Sequence, residues 1–175
     1  MTVIASWGGS TSDSYLSWTA ANSFIRSAVV NIDAWTKADQ RKQEAALKQA
    51  TIDVDTRQYI GERYYTAQKL EFPRRLIVSW PLGVNVSTEI TGQTDAEERM
   101  QSDVERATCF QAMWILRNGG RNPHAERIAS GVTLAENEAG PLRERYEYKG
   151  KAMVLCSEAL ALLAPWMTSK IVLRG

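Results

Sequence analysis

The chain has 175 residues, 44% of them hydrophobic and 23% charged, an ordinary composition for a soluble globular protein. That length suits one domain with a real core, or a smaller core with long arms. Lys and Arg number 21 against 20 Asp and Glu, a net charge of +1, which argues against a dedicated duplex-binding protein carrying a basic stripe. It does not exclude a protein that surrounds DNA without gripping it.

Residues 1–13 contain Gly8-Gly9-Ser10-Thr11-Ser12, which lacks the lysine and the spacing of a phosphate loop and reads as an exposed, partly mobile arm. No basic region followed by an apolar run opens the chain, so no signal peptide is expected. Ser17 should cap a short helix reaching about Ala28, with Ala21, Phe24, Ile25 and Ala28 inward. Val29 to Asp33 joins it to a central helix, capped by Thr36, with Asp39 in its first turn and Trp35 as one half of a hydrophobic staple. Ala46, Leu47, Ala50, Val54 and Tyr59 form one apolar stripe. Lys42, Glu44, Lys48, Gln49 and Asp55 fall off it, toward water or a partner. Gly61 should end this helix, and the rest of the domain should pack on it.

Glu62 to Gln93 is the least regular part. Leu76-Ile77-Val78 suggests a short strand broken by Trp80-Pro81 and Gly83, within an extended loop. Arg74, Arg75 and Trp80 invite a nucleic-acid reading, since arginine with an aromatic can hold backbone and stack bases. The alternative, which the sequence favours, is an aromatic lid on the core with solvated arginines.

Thr94 or Asp95 should cap a third helix with Met100, Val104, Ala107, Gln111, Trp114 and Ile115 on one face. Cys109, Phe110, Met113 and Leu116 fill much of the rest of its second half, so this helix should be buried on several sides. Asn118-Gly119-Gly120 stops it. Val132 to Tyr148 reads as a β-hairpin turning at Glu138-Ala139-Gly140-Pro141. Tyr146 and Tyr148 share one face, and Arg143, Arg145 and Glu147 the other. A last helix should run from Lys151 to about Ala164, stopped by Pro165. The longest apolar run, Ala159 to Met167, is far short of a membrane span. The tail that follows carries Ile171-Val172-Leu173-Arg174, apolar residues that need a partner or a place on their own domain.

No catalytic constellation can be assembled. Asp53 and Asp55 are two apart on a helix and point to different sides, and His124, the only histidine, stands beside Pro123 in a polar turn without a ligand set or triad. Cys109 and Cys156 are unpaired in motif terms and read as small buried residues of a reducing compartment. The expectation is a non-enzyme with no cofactor and no metal.

Three segments carry a resemblance that together covers roughly half of the chain. Trp35-x-x-Ala38-Asp39, Ala45-Ala46-Leu47-x-x-Ala50-Thr51-x-x-Val54-Asp55, Gly61 and Gln68-x-Leu70-x-Phe72-Pro73-Arg74 form the first. Ser14-Tyr15-Leu16-Ser17 with Ala20-Ala21-x-x-Phe24, and Val104-x-x-Ala107-x-x-x-Gln111-Ala112-x-Trp114-x-Leu116, form the others. In this order and separation they resemble the head–tail adaptor proteins of tailed bacteriophages, also called head-completion or connector proteins, some relatives of which are labelled DnaT-like. The pattern there commonly has Trp where this chain has Phe72.

The resemblance implies a mainly α fold: a four-helix adaptor-type bundle with an inserted β-hairpin and extended N- and C-terminal arms. Its parts would be an arm over 1–13, helical core over 14–120, a hairpin insertion over 121–149, a last core helix over 150–167 and a docking tail over 168–175. The function it implies is structural, in the virion neck. A closed ring of copies, a dodecamer to match the portal, would assemble in the host cytoplasm and seat on the portal protein. It would present a platform to the tail or next connector protein and pass genomic double-stranded DNA through its lumen, with no membrane involved. Met167, Ile171, Val172, Leu173 and Arg174 would make the portal contact. Arg143, Arg145, Tyr146, Tyr148, Arg74, Arg75 and Trp80 would make subunit or lumen contacts. The alternative is a single-stranded DNA-binding or replication module, using Arg74, Arg75, Trp80 and Tyr148, against which the near-zero net charge counts.

Overall fold

A computed structural model describes residues 2–75, 93–119, 134–139, 142–147 and 155–168. Over these the fold is mainly α. The helices are α1 (Trp18–Ala28), α2 (Asp33–Lys37), α3 (Gln40–Asp55), α4 (Gln93–Arg117) and α5 (Ser157–Leu163), the last running into a 3-10 turn at Ala164–Trp166. Strands β1 (Glu62–Arg63) and β2 (Arg74–Arg75) pair antiparallel, as do β3 (Leu134–Ala139) and β4 (Leu142–Glu147).

The helix on which the others gather is α4 rather than α3. It packs against α1, α2, α3 and α5, and Met100, Val104, Ala107, Cys109, Ala112, Met113 and Ile115 are all buried. Its second half is apolar nearly all round, so only the position with neighbours on every side satisfies it. The stripe expected on the facing helix is real: Ala46, Leu47, Ala50 and Val54 lie inside, and burying a side chain such as Leu47 stabilises the fold by roughly 1.5–3 kcal/mol. Glu44 is buried as well, contrary to its expected place off the stripe; its carboxylate accepts from the Gln40 amide at 2.9 Å.

Several boundaries differ from the sequence reading, each for a local reason. The single helix capped by Thr36 is two. Ala38 adopts an extended conformation after α2, and Asp39 caps α3, its carboxylate accepting from the Lys42 N–H at 2.8 Å. The Thr36 hydroxyl is spent on the carbonyls of Ile32 and Asp33. Gln43 then holds the break shut, donating to the carbonyls of Trp35 and Ala38 and accepting from the indole of Trp18. The helix ends at Asp55 and not near Gly61, which sits at φ 74° in a later turn. Tyr59 is therefore outside the helix, bridged to Met167.

Ser17 caps α1 as expected, but Ala28 is exposed. Thr94 and Asp95 lie inside α4, which already starts at Gln93. Leu155 and Cys156 precede α5 instead of forming part of it. The opening segment is not a projecting arm. Ile4 and Asp13 exchange hydrogen bonds, Asp13 pairs with Lys48 of α3 at 2.6 Å, and Ser12 and Ser14 are buried. Tyr15 and Leu16 form a bend ahead of α1. Residues 76–92, including Leu76-Ile77-Val78 and Trp80, lie outside the described residues, as do His124, the start expected for the last helix at Lys151, and Ile171 to Arg174.

Candidate functional site

The loop from Thr56 to Arg75 leaves α3, crosses the end of the core and returns, and its stability rests on three side chains of the Gln68-x-Leu70-x-Phe72-Pro73-Arg74 segment. Gln68 is buried, donates to the carbonyls of Leu70 (2.8 Å) and Pro73 (3.1 Å) and accepts from the Tyr65 N–H. Phe72 is 1% exposed, with its ring 4.5 Å from that of Tyr59 and 5.7 Å from that of Tyr15. The Phe72–Pro73 peptide is cis.

Arg74 is no solvated arginine. It is 9% exposed, and its guanidinium donates to the carbonyls of Ile60 (2.9 Å), Gly61 (2.6 Å) and Tyr59 (3.3 Å) and to the Glu71 carboxylate (2.6 Å). Three carbonyls of one loop turn toward a single fork of donors, which only arginine can satisfy at once. Arg75, the next residue on a two-residue strand, faces the other way and is exposed. Its guanidinium stands 5.0 Å from the ring centroid of Tyr64. Of the two arginines joined in the sequence reading, one belongs to the interior and one to the surface.

The surface that Arg75 joins was not singled out in the sequence. Tyr64 and Tyr65 are exposed, 39% and 51%, and their rings meet edge to face at 4.7 Å. Arg63 precedes them and pairs with Glu71, which bonds Arg74 with its other oxygen and also raises the Arg63 pKa. Tyr65 also lies against Gly8, whose backbone at φ 76° leaves no room for a side chain beside that ring. The signal was an Arg-Tyr-Tyr run in an otherwise polar stretch, where large aromatics have no core to enter. Exposed aromatics beside arginines can stack planar groups and hold anions.

Behind this surface the Tyr15 hydroxyl donates to Asp55 and accepts from the Phe72 N–H. Burial pushes the Asp55 carboxyl up to about 6, against the Tyr15 hydrogen bond, which lowers it. Burial, then the nearby Asp55 charge, also raises the Tyr15 phenol. Tyr15 is only 4% exposed, so this pair can titrate but offers nothing to a substrate. Asp53 points elsewhere, accepting from Gln111 and Gln49. Cys109 and Cys156 are buried free thiols, and burial raises both, Cys156 to about 11. Among the described residues no cluster of His, Cys, Asp and Glu could hold a metal ion, and no helix is long and apolar enough to cross a membrane.

The remaining candidate residues separate. Met167 is half-buried against Tyr59, and Thr168 donates through both N–H and hydroxyl to the Gln58 carbonyl. Arg143, Arg145 and Tyr146 stand on β4 opposite Glu138, Glu136 and Ala135 in the backbone register of the expected hairpin. Trp80, Tyr148, Ile171, Val172, Leu173 and Arg174 lie outside the described residues.

The sequence model of one protein family, described as "Putative DnaT-like ssDNA binding protein", matches residues 1–174. No curated protein and no solved structure matches the chain.

Proposed function

The chain belongs to this DnaT-like family, and from that membership we propose that it is a non-enzymatic protein that binds single-stranded DNA. Tyr64 and Tyr65 are the base-stacking pair, and Arg75 and Arg63 are the cations at their edge. The observation that carries the reading is the exposed Tyr64–Tyr65 pair with Arg75 over Tyr64. Every base has a π-face, so such a pair accepts any sequence. With a net charge of +1 the affinity comes mainly from stacking, and its salt dependence is shallow. Binding of labelled oligo(dT), followed by fluorescence anisotropy, tests it. Substituting Tyr64 and Tyr65 together by Ala should weaken binding by roughly 1–3 kcal/mol for each base that stacked. Equal affinity in that variant, or a preference for duplex, would sink the reading.

A second reading keeps the phage head–tail adaptor. One observation favours it: the C-terminal segment is pinned at Met167 and Thr168 to Tyr59 and Gln58, so Ile171 to Arg174 follow from a fixed point on the domain. On this reading that segment docks on the portal of a virion neck. The hairpin carrying Arg143, Arg145 and Tyr146 meets a neighbour in a dodecameric ring around the passing duplex. The discriminating measurement is the mass of the protein alone and mixed with a portal assembly. Co-migration lost on deleting 171–175 supports the adaptor. A monomer indifferent to portal but shifted by oligo(dT) excludes it.

A further inference from the structure

Glu71, which holds Arg63 with one oxygen and Arg74 with the other, also lines an open hollow with Arg57, Gln58, Tyr59, Arg74 and Thr168. Arg57 stands just past the end of α3. Its Nε and Nη2 are enclosed and have no hydrogen-bond acceptor among the described residues. Charged donors shut away from water without an acceptor are costly, and folded proteins rarely keep them without a use.

The neighbouring cations are already engaged. Arg63 is held by Glu71, and Arg74 by Glu71 and three carbonyls. Of the three, Arg57 alone has enclosed donors without an acceptor among the described residues. Arg57 and Arg74 line the hollow and Arg63 pairs with its Glu71, so three guanidinium groups gather about two carboxylates, Glu71 and Asp55. Asp55, raised to about 6 by burial, is still largely ionised at neutral pH. The local sign is therefore positive on a chain that is nearly neutral as a whole. The hollow is open, and Arg57 is one of the residues that line it. A tetrahedral oxyanion presents oxygen pairs that match that fork.

We propose that this hollow is a phosphate subsite in which Arg57 binds two oxygens of a phosphodiester whose neighbouring base stacks on Tyr64 or Tyr65. The choice of a nucleic-acid phosphate rests on the single-stranded DNA reading; the anion chemistry of Arg57 does not. Arg63, which precedes Tyr64 in the chain, pairs with Glu71 of the hollow and links the two parts; in this proposal the strand passes that bridge on its way from the tyrosine pair to Arg57.

The test titrates labelled oligo(dT) against wild type, R57Q, R57K and the Tyr64→Ala/Tyr65→Ala variant between ~50 and ~200 mM salt. R57Q should bind less tightly, with a slope of log affinity against log salt smaller by about 0.7, the loss of one phosphate contact on a single strand. R57K should recover part of that slope, and the tyrosine variant should lose affinity with the slope unchanged. The melting temperature of R57Q should hold or rise, because the donors removed had no acceptor among the described residues. In a parallel arm, inorganic phosphate should raise the melting temperature of wild type and not of R57Q.

An unchanged slope in R57Q, where wild type binds through the tyrosines, overturns the subsite and leaves the DNA reading standing. No oligo(dT) binding, with an Arg57-dependent shift by inorganic phosphate, overturns the DNA reading and keeps the anion site for free phosphate. Neither response overturns both. Melting temperatures lowered in R57Q and R57K alike assign Arg57 to the fold and overturn the subsite.

Discussion

Tyr15 donates its phenolic proton to Asp55, forty residues further along the chain, and so ties the entry of α1 to the end of α3. The carboxylate accepts this bond inside the protein, where desolvation outweighs it and lifts the Asp55 pKa from 3.8 to about 6. A carboxyl raised in the folded state stabilises the fold fully below its unfolded value, and that contribution is lost as pH rises through the folded value. Stability should therefore fall between pH 3.8 and about 6, by up to about 3 kcal/mol. Asn at position 55 can still accept from Tyr15 and does not ionise. Urea melts of D55N should show that slope removed and stability at pH 7 above wild type. A D55N protein less stable than wild type at pH 7 would mean that the ionised carboxylate is needed where it stands.

Arg74 should behave as a structural residue, unlike its neighbour. Replacing it by Ala leaves three carbonyls without their donor and Glu71 with Arg63 alone, at a cost of about 3–5 kcal/mol. Lys should restore less than half, since one ammonium cannot reach all four acceptors. Arg75→Ala should leave thermal stability within about 0.5 kcal/mol of wild type and change only oligo(dT) affinity. Equal stability losses at the two positions would erase the distinction between interior and surface arginine.

Periodicity was enough to find α1, the stripe of α3, the second half of α4 and the hairpin, because each is a run in which side-chain spacing alone selects the face. It failed where competition between neighbouring residues decides. Thr36 and Asp39 are both good caps, and the choice fell to Asp39 because Gln43 rewards a break at Ala38 with two hydrogen bonds. Arg74 and Arg75 look alike in sequence; their opposite fates come from a strand two residues long, whose pairing with Glu62 and Arg63 depends on the whole loop. The Tyr64–Tyr65 surface was visible only as aromatics in a polar stretch, and nothing in the spacing says that Arg75 returns over it.

Gln111 should prove the costliest polar residue of the helix pairings. It is fully buried, donates to Asp53 of α3 at 2.8 Å and accepts from the Cys156 N–H, at the start of α5, at 2.8 Å. Leu fits the space but leaves both partners short of a bond, an expected loss of roughly 2–4 kcal/mol. Chemical denaturation of Q111L and Q111E checks it. Glu can still accept from Cys156 but meets the Asp53 carboxylate, so Q111E should be less stable at pH 7 and regain stability in acid.

Gly8 sets the position of the outer tyrosine. A Cβ there would stand 2.7 Å from two carbons of the Tyr65 ring, and φ is 76°, in the left-handed region that other residues enter at a cost. Pro73 is 3.4 Å from the same point, so the tyrosine ring must shift to make room. Gly8→Ala should therefore cost about 1–2 kcal/mol of stability and also disturb the Tyr64–Tyr65 edge contact. The second effect separates a local strain from a functional one. If the aromatic pair stacks bases, G8A should weaken oligo(dT) binding under conditions where it is fully folded, while N–H resonances of α4 stay in place and those of Tyr64 and Tyr65 shift. If G8A shifts those resonances and leaves oligo(dT) affinity untouched, the pair is not the stacking surface.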